Sequence, residues 1–258
     1  MKVAAWLVSA LAWMGVVIFG SARPQEPKPG YQDTPYLPGD SWRVHDSNRP
    51  QPPQVKPGEL TAPPSDALVL FDGSSLAAWK SGEKTAQWAL IDGAMEVNGS
   101  GSIETKESFG DMQLHLEWMT PEEPGLQSQA KGNSGVFLMG RYEVQILDSF
   151  ANPTYADGQA AALYGQYPPE VNASRAPKNW QTYDIFFRAP RFDGSQLLEP
   201  ALVTVVHNGV LVHHARPLLG ATAHRAVAAY SAHAGQLPLQ LQDHGNKVRF
   251  RNIWARRL

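Results

Sequence analysis

Short runs in which apolar and polar residues alternate recur from about residue 67 to the end of this 258-residue chain. No segment carries sustained apolar spacing at the helical period of 3.6, so helix is expected to be a minor component. The runs are ALVLF (67–71), QWALID (87–92), AMEVN (94–98), GSIETK (101–106), DMQLHLEWMT (111–120), SGVFLM (134–139) and YEVQILD (142–148). Further on come TYDIFFRA (182–189), ALVTVVHNGVLVHH (201–214), LPLQLQD (237–243) and KVRFRNIWARRL (247–258). Gly, Asn, Asp and Pro bound them, as expected of strands separated by turns. Asp92-Gly93 and Asn208-Gly209 predict tight hairpins, because both residues of each pair tolerate positive φ. About eleven such strands without helical alternation predict an all-β chain, a two-sheet antiparallel sandwich or jelly roll.

The period of two also assigns faces. In DMQLHLEWMT, Leu114, Leu116 and Trp118 face one way, and Gln113, His115 and Glu117 the other. Leu239 and Leu241 alternate with Gln240 and Gln242, and Val248 and Phe250 with Arg249 and Arg251. In RYEVQILDS, Tyr142, Val144 and Ile146 share a face that can enter a core, opposite Glu143, Gln145 and Leu147. Glu143 and Gln145 stand about 6.5–7 Å apart, two residues of strand rise. A carboxylate and an amide so placed suit a sugar-binding groove. The expectation is one polar concave sheet displaying Glu143, Gln145 and Arg251 together, although outer faces are polar in every sandwich. Trp79, Trp118 and Trp254 lie in apolar patterns and are expected in the core.

Residues 1–22 read as a secretory signal peptide: one Lys, a long apolar run, and small residues at Gly20 and Ala22. Export, to periplasm or medium, follows from that reading. The chain has no cysteine, which removes disulfides, thiolate metal sites and a Cys nucleophile. The net charge is −2, or −3 once Lys2 leaves with the signal. A near-neutral surface argues against nucleic acid as a partner, and no segment beyond the signal approaches transmembrane length, so no membrane association is expected after cleavage. A neutral polar substrate fits better. Residues 23–64 hold 11 of the 21 prolines, so they are expected to run extended, as an arm along a domain spanning 65–258 or as a tether. Tyr31, Tyr36, Leu37, Trp42, Val44 and His45 favour the arm.

The succession LFDGSSLAAW, NSGVFLMGRYEVQILDS, ALYGQYPP, NW, HNG and LQLQDHGNKVRFRNIW resembles the 3-keto-disaccharide hydrolase domain family, also called DUF1080, from about Ala67 to Leu258. WRVHDSNRPQP followed by PPSDALVLFDG resembles the segment that leads into the domain in exported members. The resemblance implies a concanavalin A/LamG-like jelly roll acting on glycosides already oxidised at C3. A C3 ketone acidifies the hydrogen on C2. A base can remove it, the enolate expels the C1 substituent, and water can add to the resulting 2-hydroxy-3-keto-glucal. Such chemistry needs a base near C2, an electrophile for the enolate oxygen and an acid for the leaving group. A divalent metal chelated by the sugar could be that electrophile.

Glu143 is the candidate base or metal ligand; its alternative is a structural pair with Arg141 or Arg251. Gln145 would bind sugar hydroxyls, or else join a cross-strand amide ladder. His244, in the turn QDHGN, is a candidate acid or an exposed turn residue. Arg251 would face the enolate oxygen, or salt-bridge Glu143 or Glu117. Asn133, Tyr164, Gln242 and Arg249 complete the candidate substrate contacts, with turn formation for Asn133 and core packing for Tyr164 as alternatives. His115 and Glu117 repeat the i, i+2 pattern and, with Glu143, form the candidate metal set, which no HExxH or EF-hand spacing supports. Asp148 falls out of phase with Glu143. Two competing functions stand beside the lyase or hydrolase: a non-catalytic carbohydrate-binding module, and a retaining glycosidase. The second would want paired carboxylates about 5–5.5 Å apart.

Overall fold

The computed structural model describes residues 29–258, so the expected signal peptide, residues 1–22, lies outside the described residues. Two compact units divide between Gln54 and Val55. In the first, Tyr31 N donates to His45 O at 2.8 Å and Leu37 N to Trp42 O at 2.9 Å, closing a loop. The Arg43 guanidinium lies 3.9 Å from the centre of the Tyr36 ring and donates to Thr34 O. The end of the Pro-rich stretch, from Val55, belongs to the second unit.

That unit is a sandwich of antiparallel sheets, as the alternating runs predict. The first sheet runs Val210–Pro217, Leu202–His207, Gln181–Arg188, Met112–Met119, Arg249–Arg257, Ala94–Glu96, Ala89–Ile91, with Leu68–Phe71 also on Arg249–Arg257. The second runs Lys84–Thr85, Trp79–Ser81, Ile103–Phe109, Leu237–Leu241, Ser134–Leu138, Tyr142–Ile146. Helix among the described residues is confined to two 3₁₀ turns, Ser128–Ala130 and Ala156–Gly158. Asp92-Gly93 and Asn208-Gly209 form the expected hairpin turns, all four residues at positive φ.

Between the sheets lie the predicted inward residues of Met112–Met119, Tyr142–Ile146 and Leu237–Leu241, joined by the inward residues of Gln181–Arg188 and Ser134–Leu138. Leu114, Leu116, Trp118, Tyr183, Ile185 and Phe187 come from one sheet, and Val136, Leu138, Tyr142, Val144, Ile146 and Leu239 from the other. Each large apolar side chain so buried contributes roughly 1.5–3 kcal/mol. One inward assignment fails. Asn252 takes φ 45°, and the pairing with Met112–Met119 slips between Arg251 and Trp254. This bulge reverses the phase of the strand. Ile253 therefore enters the core, while Trp254 leaves it and stacks on His115, ring centres 5.2 Å apart.

The edge strand Tyr142–Ile146 is not left open. Ala161 N donates to Gln145 O at 2.8 Å and Gln145 N to Ala162 O at 2.9 Å, so residues 161–164 pair along it. Covering an edge in this way blocks its pairing with another chain. It also brings Tyr164 to the face of the sheet turned away from the core.

Candidate active site

A cavity of about 280 Å³ opens on that outward face. Phe137, Glu143 and Gln145 form its floor from the last two strands of the second sheet. Gln242 and His244 enter from the turn after Leu237–Leu241, Asn133 from the turn before Ser134–Leu138, and Tyr164 from the covering segment. Thr222 and His224 close it. Thr222 is fixed by two bonds to the strand: its Oγ1 accepts from Glu143 N at 2.9 Å, and its N donates to Arg141 O at 2.8 Å.

Glu143 is 6 % exposed. Neither expected arginine partner reaches it, since Arg141 bonds Ser231 and Arg251 bonds Glu117. No hydrogen bond from the described residues satisfies its carboxylate. Burial without a compensating charge pushes its pKa up to about 8. A carboxyl so placed is poised to exchange a proton near neutral pH, as a general base requires. Room for it comes from Gly135, whose Cβ, were there one, would collide with Glu143 Oε1 and lie 3.1 Å from its Cδ.

Gln145 is held by an amide chain. Its Nε2 donates to Gln129 Oε1 at 3.0 Å, and Gln129 Nε2 donates onward to Thr154 Oγ1 and to Gly158 O. Asn133 donates to Gln129 O at 2.7 Å while its backbone N–H is taken by Asn246, so it is at once turn former and wall. Gln242 and His244 make no side-chain hydrogen bond among the described residues, which leaves both free for a ligand. Tyr164 OH bonds Tyr155 OH at 2.8 Å and His224 Nδ1 at 3.1 Å.

Arg251, Arg249, Glu117 and His115 are not here. All four stand on the outward face of the first sheet, across the core from Glu143. Arg249 Nε bonds Glu96 at 2.7 Å. Arg251 Nε bonds Glu117 at 2.6 Å, and its guanidinium lies 4.0 Å from the centre of the Trp180 ring. Glu117 also accepts from Thr61 Oγ1 and Asn252 Nδ2, while His115 pairs with Asp184 at 2.7 Å. Burial opposes the charge on His115, but Asp184 and Glu117 prevail and hold its pKa up to about 9. The expected joint display of Glu143, Gln145 and Arg251 is thus split between two sheets. So is the candidate metal set of Glu143, Glu117 and His115, and among the described residues no other cluster of three or more His, Asp or Glu takes its place. Asp148 is out of phase as expected and pairs with Lys131 at 2.9 Å.

His224, Thr222, Phe137, Gln129 and Gly135 were missed by sequence reasoning. Thr222 and His224 lie in a segment with no strand pattern, and nothing local announces where it folds. Gly135 carried a signal: glycine inside a strand marks a close approach.

Gly135→Ala should preserve the fold while expelling the Glu143 carboxylate from its niche. We expect turnover to fall about tenfold or more, as misplacement of a catalytic group does. The midpoint of the pH–rate profile should also move below about 8 as the carboxyl regains water. Wild-type rates and profile would show that Gly135 does not position the Glu143 carboxyl for turnover.

Comparison with known proteins identifies the domain. Residues 66–256 match the 3-keto-alpha-glucoside-1,2-lyase-like domain. A candidate glycosyl hydrolase of Parabacteroides distasonis, known by crystal structure, is 41 % identical, with TM-score 0.79 over 85 % of this chain and 99 % of that one. A second candidate glycosyl hydrolase from that organism is 19 % identical, with TM-score 0.56 over 74 % of this chain and 94 % of that one, and shares the fold. A 3-keto-disaccharide hydrolase of Bacteroides thetaiotaomicron is 22 % identical over 156 residues. That match spans 46 % of this chain and about half the length of that relative, 51 %.

Proposed function

We propose a reaction for this chain, which belongs to the 3-keto-alpha-glucoside-1,2-lyase-like domain family: it abstracts the C2 proton of a 3-keto-glycoside and expels the substituent at C1. The observation that carries the reading is the buried, unpartnered Glu143 carboxylate in a cavity with room for one sugar ring. An ordinary retaining glycosidase would want a second carboxylate across the bond. Among the described residues no other acidic side chain lines this cavity.

In the first step Glu143 takes the C2 hydrogen, and the electron pair moves onto the C3 oxygen as an enolate. Gln145, Gln242 and His244 offer hydrogen bonds to the ring oxygens. The enolate then collapses: the C3 carbonyl re-forms, a C1–C2 double bond forms, and the C1–O bond breaks. The departing oxygen takes a proton. His244 and the hydrogen-bonded Tyr164–His224 pair line the same cavity and can each supply it. Addition of water to the glucal would complete a net hydrolysis. Reading residues 1–22 as a secretory signal assigns this reaction to the periplasm or medium.

The purified protein should release aglycone from a 3-keto-glucoside and leave the parent glucoside untouched, because an unoxidised sugar has no comparably acidic C–H. Release can be followed by chromatography. Equal rates on both sugars would reject the elimination and favour direct hydrolysis. Sugar binding without turnover of either would point to a binding module.

A further inference from the structure

Gln145 is held on every side. Its backbone N donates to Ala162 O at 2.9 Å, and its carbonyl accepts from Ala161 N at 2.8 Å and from Tyr183 OH at 2.7 Å. The residue is 1 % exposed, yet it lines the cavity beside Glu143.

Two backbone groups of fixed polarity decide which way its amide points. At one end Gly158 O can only accept, so the Gln129 atom 2.9 Å from it must be Nε2. Gln129 Oε1 is thereby turned to Gln145, which answers with its own Nε2 at 3.0 Å. At the other end the Ile146 N–H can only donate, and Gln145 Oε1 receives it at 3.1 Å. Both ends demand the same orientation, since a reversed amide would set donor against donor at Ile146. The relay is built into the fold. Gln129 sits in the turn Ser128–Ala130, tied down where Asn133 donates to its carbonyl at 2.7 Å. Gly158 leaves it room, because a Cβ there would come within 2.8 Å of Gln129 Nε2. One polar hydrogen of Gln145 is left over, the second N–H on Nε2, which has no acceptor among the described residues.

Resting on the reading of Glu143 as base toward a keto sugar, we infer that Gln145 is the catalytic donor to the C3 oxygen and that Gln129 is its positioning residue. Glu143 and Gln145 project side by side from one strand, so a ring whose C2 meets the first presents its neighbouring C3 oxygen to the second. A ketone oxygen only accepts, which matches a group that has only a donor to give. As Glu143 takes the C2 hydrogen, the C–H electron pair becomes the C2–C3 double bond and the carbonyl pair moves onto that oxygen. No Lys or Arg among the described residues lines the cavity, so a fixed neutral donor must meet this charge. The relay holds the N–H in place before the sugar arrives and away from water, where a donor aimed at developing charge counts most.

The test uses 1,5-anhydro-3-keto-glucitol, which has no C1 substituent to expel and so reports binding and enolisation alone. In deuterium oxide the wild type should exchange its C2 hydrogen, followed by proton NMR. We expect Gln145→Met to slow this exchange ~10²-fold, the scale of a lost oxyanion donor, and Gln129→Met to slow it ~10-fold. The KM of Gln129→Met should stay within about twofold, because the bond strengthens chiefly in the transition state. A packing role would move KM or the folded fraction instead. A second measurement needs no variant. In nitrogen-15 NMR of the wild type, the Gln145 side-chain N–H should shift downfield with the ketone but not with 3-deoxy-1,5-anhydroglucitol, which lacks that oxygen. The same shift with both compounds, a shift with neither, or wild-type exchange in Gln129→Met would overturn the inference. If the ketone alone shifts the N–H while the wild type leaves the C2 hydrogen in place, the reading of Glu143 fails and the contact of Gln145 with the C3 oxygen stands.

Discussion

Glu143→Gln is expected to lower turnover of a 3-keto-glycoside by at least the ~10²-fold typical of a lost general base, and to raise stability in alkaline solution. The two effects share one cause. Burial holds the folded carboxyl near pKa 8, against an ordinary value of 4.5. Below pH 4.5 both folded and unfolded chains carry the proton, so Glu143 contributes nothing to the pH dependence. Between 4.5 and about 8 the unfolded chain has released a proton that the folded chain still binds. Stability therefore falls as pH rises through this window, by an amount on the order of a few kcal/mol. Glutamine keeps the shape and carries no such penalty. Denaturant titrations should give equal stabilities for variant and parent at pH 4, and a clear advantage for the variant at pH 9. The kcat/KM of the parent should rise with pH to a plateau above about 8, where the base is free. A variant that retains activity, or that is less stable at pH 9, would remove Glu143 from the role.

Glu117→Ala is expected to act in the opposite sense, costing stability and sparing chemistry. Its carboxylate is the acceptor on which Thr61, Asn252 and Arg251 converge, with His115 Nε2 4.0 Å away. Its removal leaves the Thr61, Asn252 and Arg251 donors without that acceptor, and leaves the buried His115 imidazolium with Asp184 alone. Breaking a buried pair costs about 3–5 kcal/mol. The lower end applies here because the Arg251 side chain is 42 % exposed and water compensates it. For a domain of this size that is a fall in Tm on the order of 10 °C. His115 sets the pH window. Its folded pKa, about 9, exceeds the ordinary 6.5, so its contribution is complete below 6.5 and is lost as pH rises through 9. The deficit of Glu117→Ala should therefore be largest near pH 6 and shrink above 9. Scanning calorimetry at the two pH values checks this. Arg251→Lys should likewise lower Tm slightly through loss of the Trp180 stack and leave turnover per folded molecule unchanged. A selective loss of turnover in either variant would return the first sheet to the catalytic account.

Which residues would face inward was legible wherever a strand kept its period. Leu114, Leu116 and Trp118 are buried and His115 and Glu117 turn away, because side chains on a regular strand must alternate. The same rule misplaced Trp254, since a single left-handed residue, Asn252, reverses the phase and no local pattern announces it. Glu143, Gln145, Gln242 and His244 gather around one cavity as their strands and turn suggested. Thr222 and His224 complete it from a loop about 80 residues away in sequence.

What the sequence by itself determined is therefore the class of fold, the family, and the Glu143–Gln145 strand with its outward polar face. These rest on local rules: alternation, turn chemistry and the order of motifs. Only the tertiary structure decided that Arg251, Arg249, Glu117 and His115 serve the other sheet. Alternation says which side of a strand is wet but not which sheet the strand joins, because that depends on long-range backbone pairing to which side-chain polarity is nearly blind. The tertiary structure likewise decided that Glu143 stands without a partner. A raised pKa is a property of what surrounds a carboxyl in space, and the groups that exclude water from Glu143 come from four separate parts of the chain.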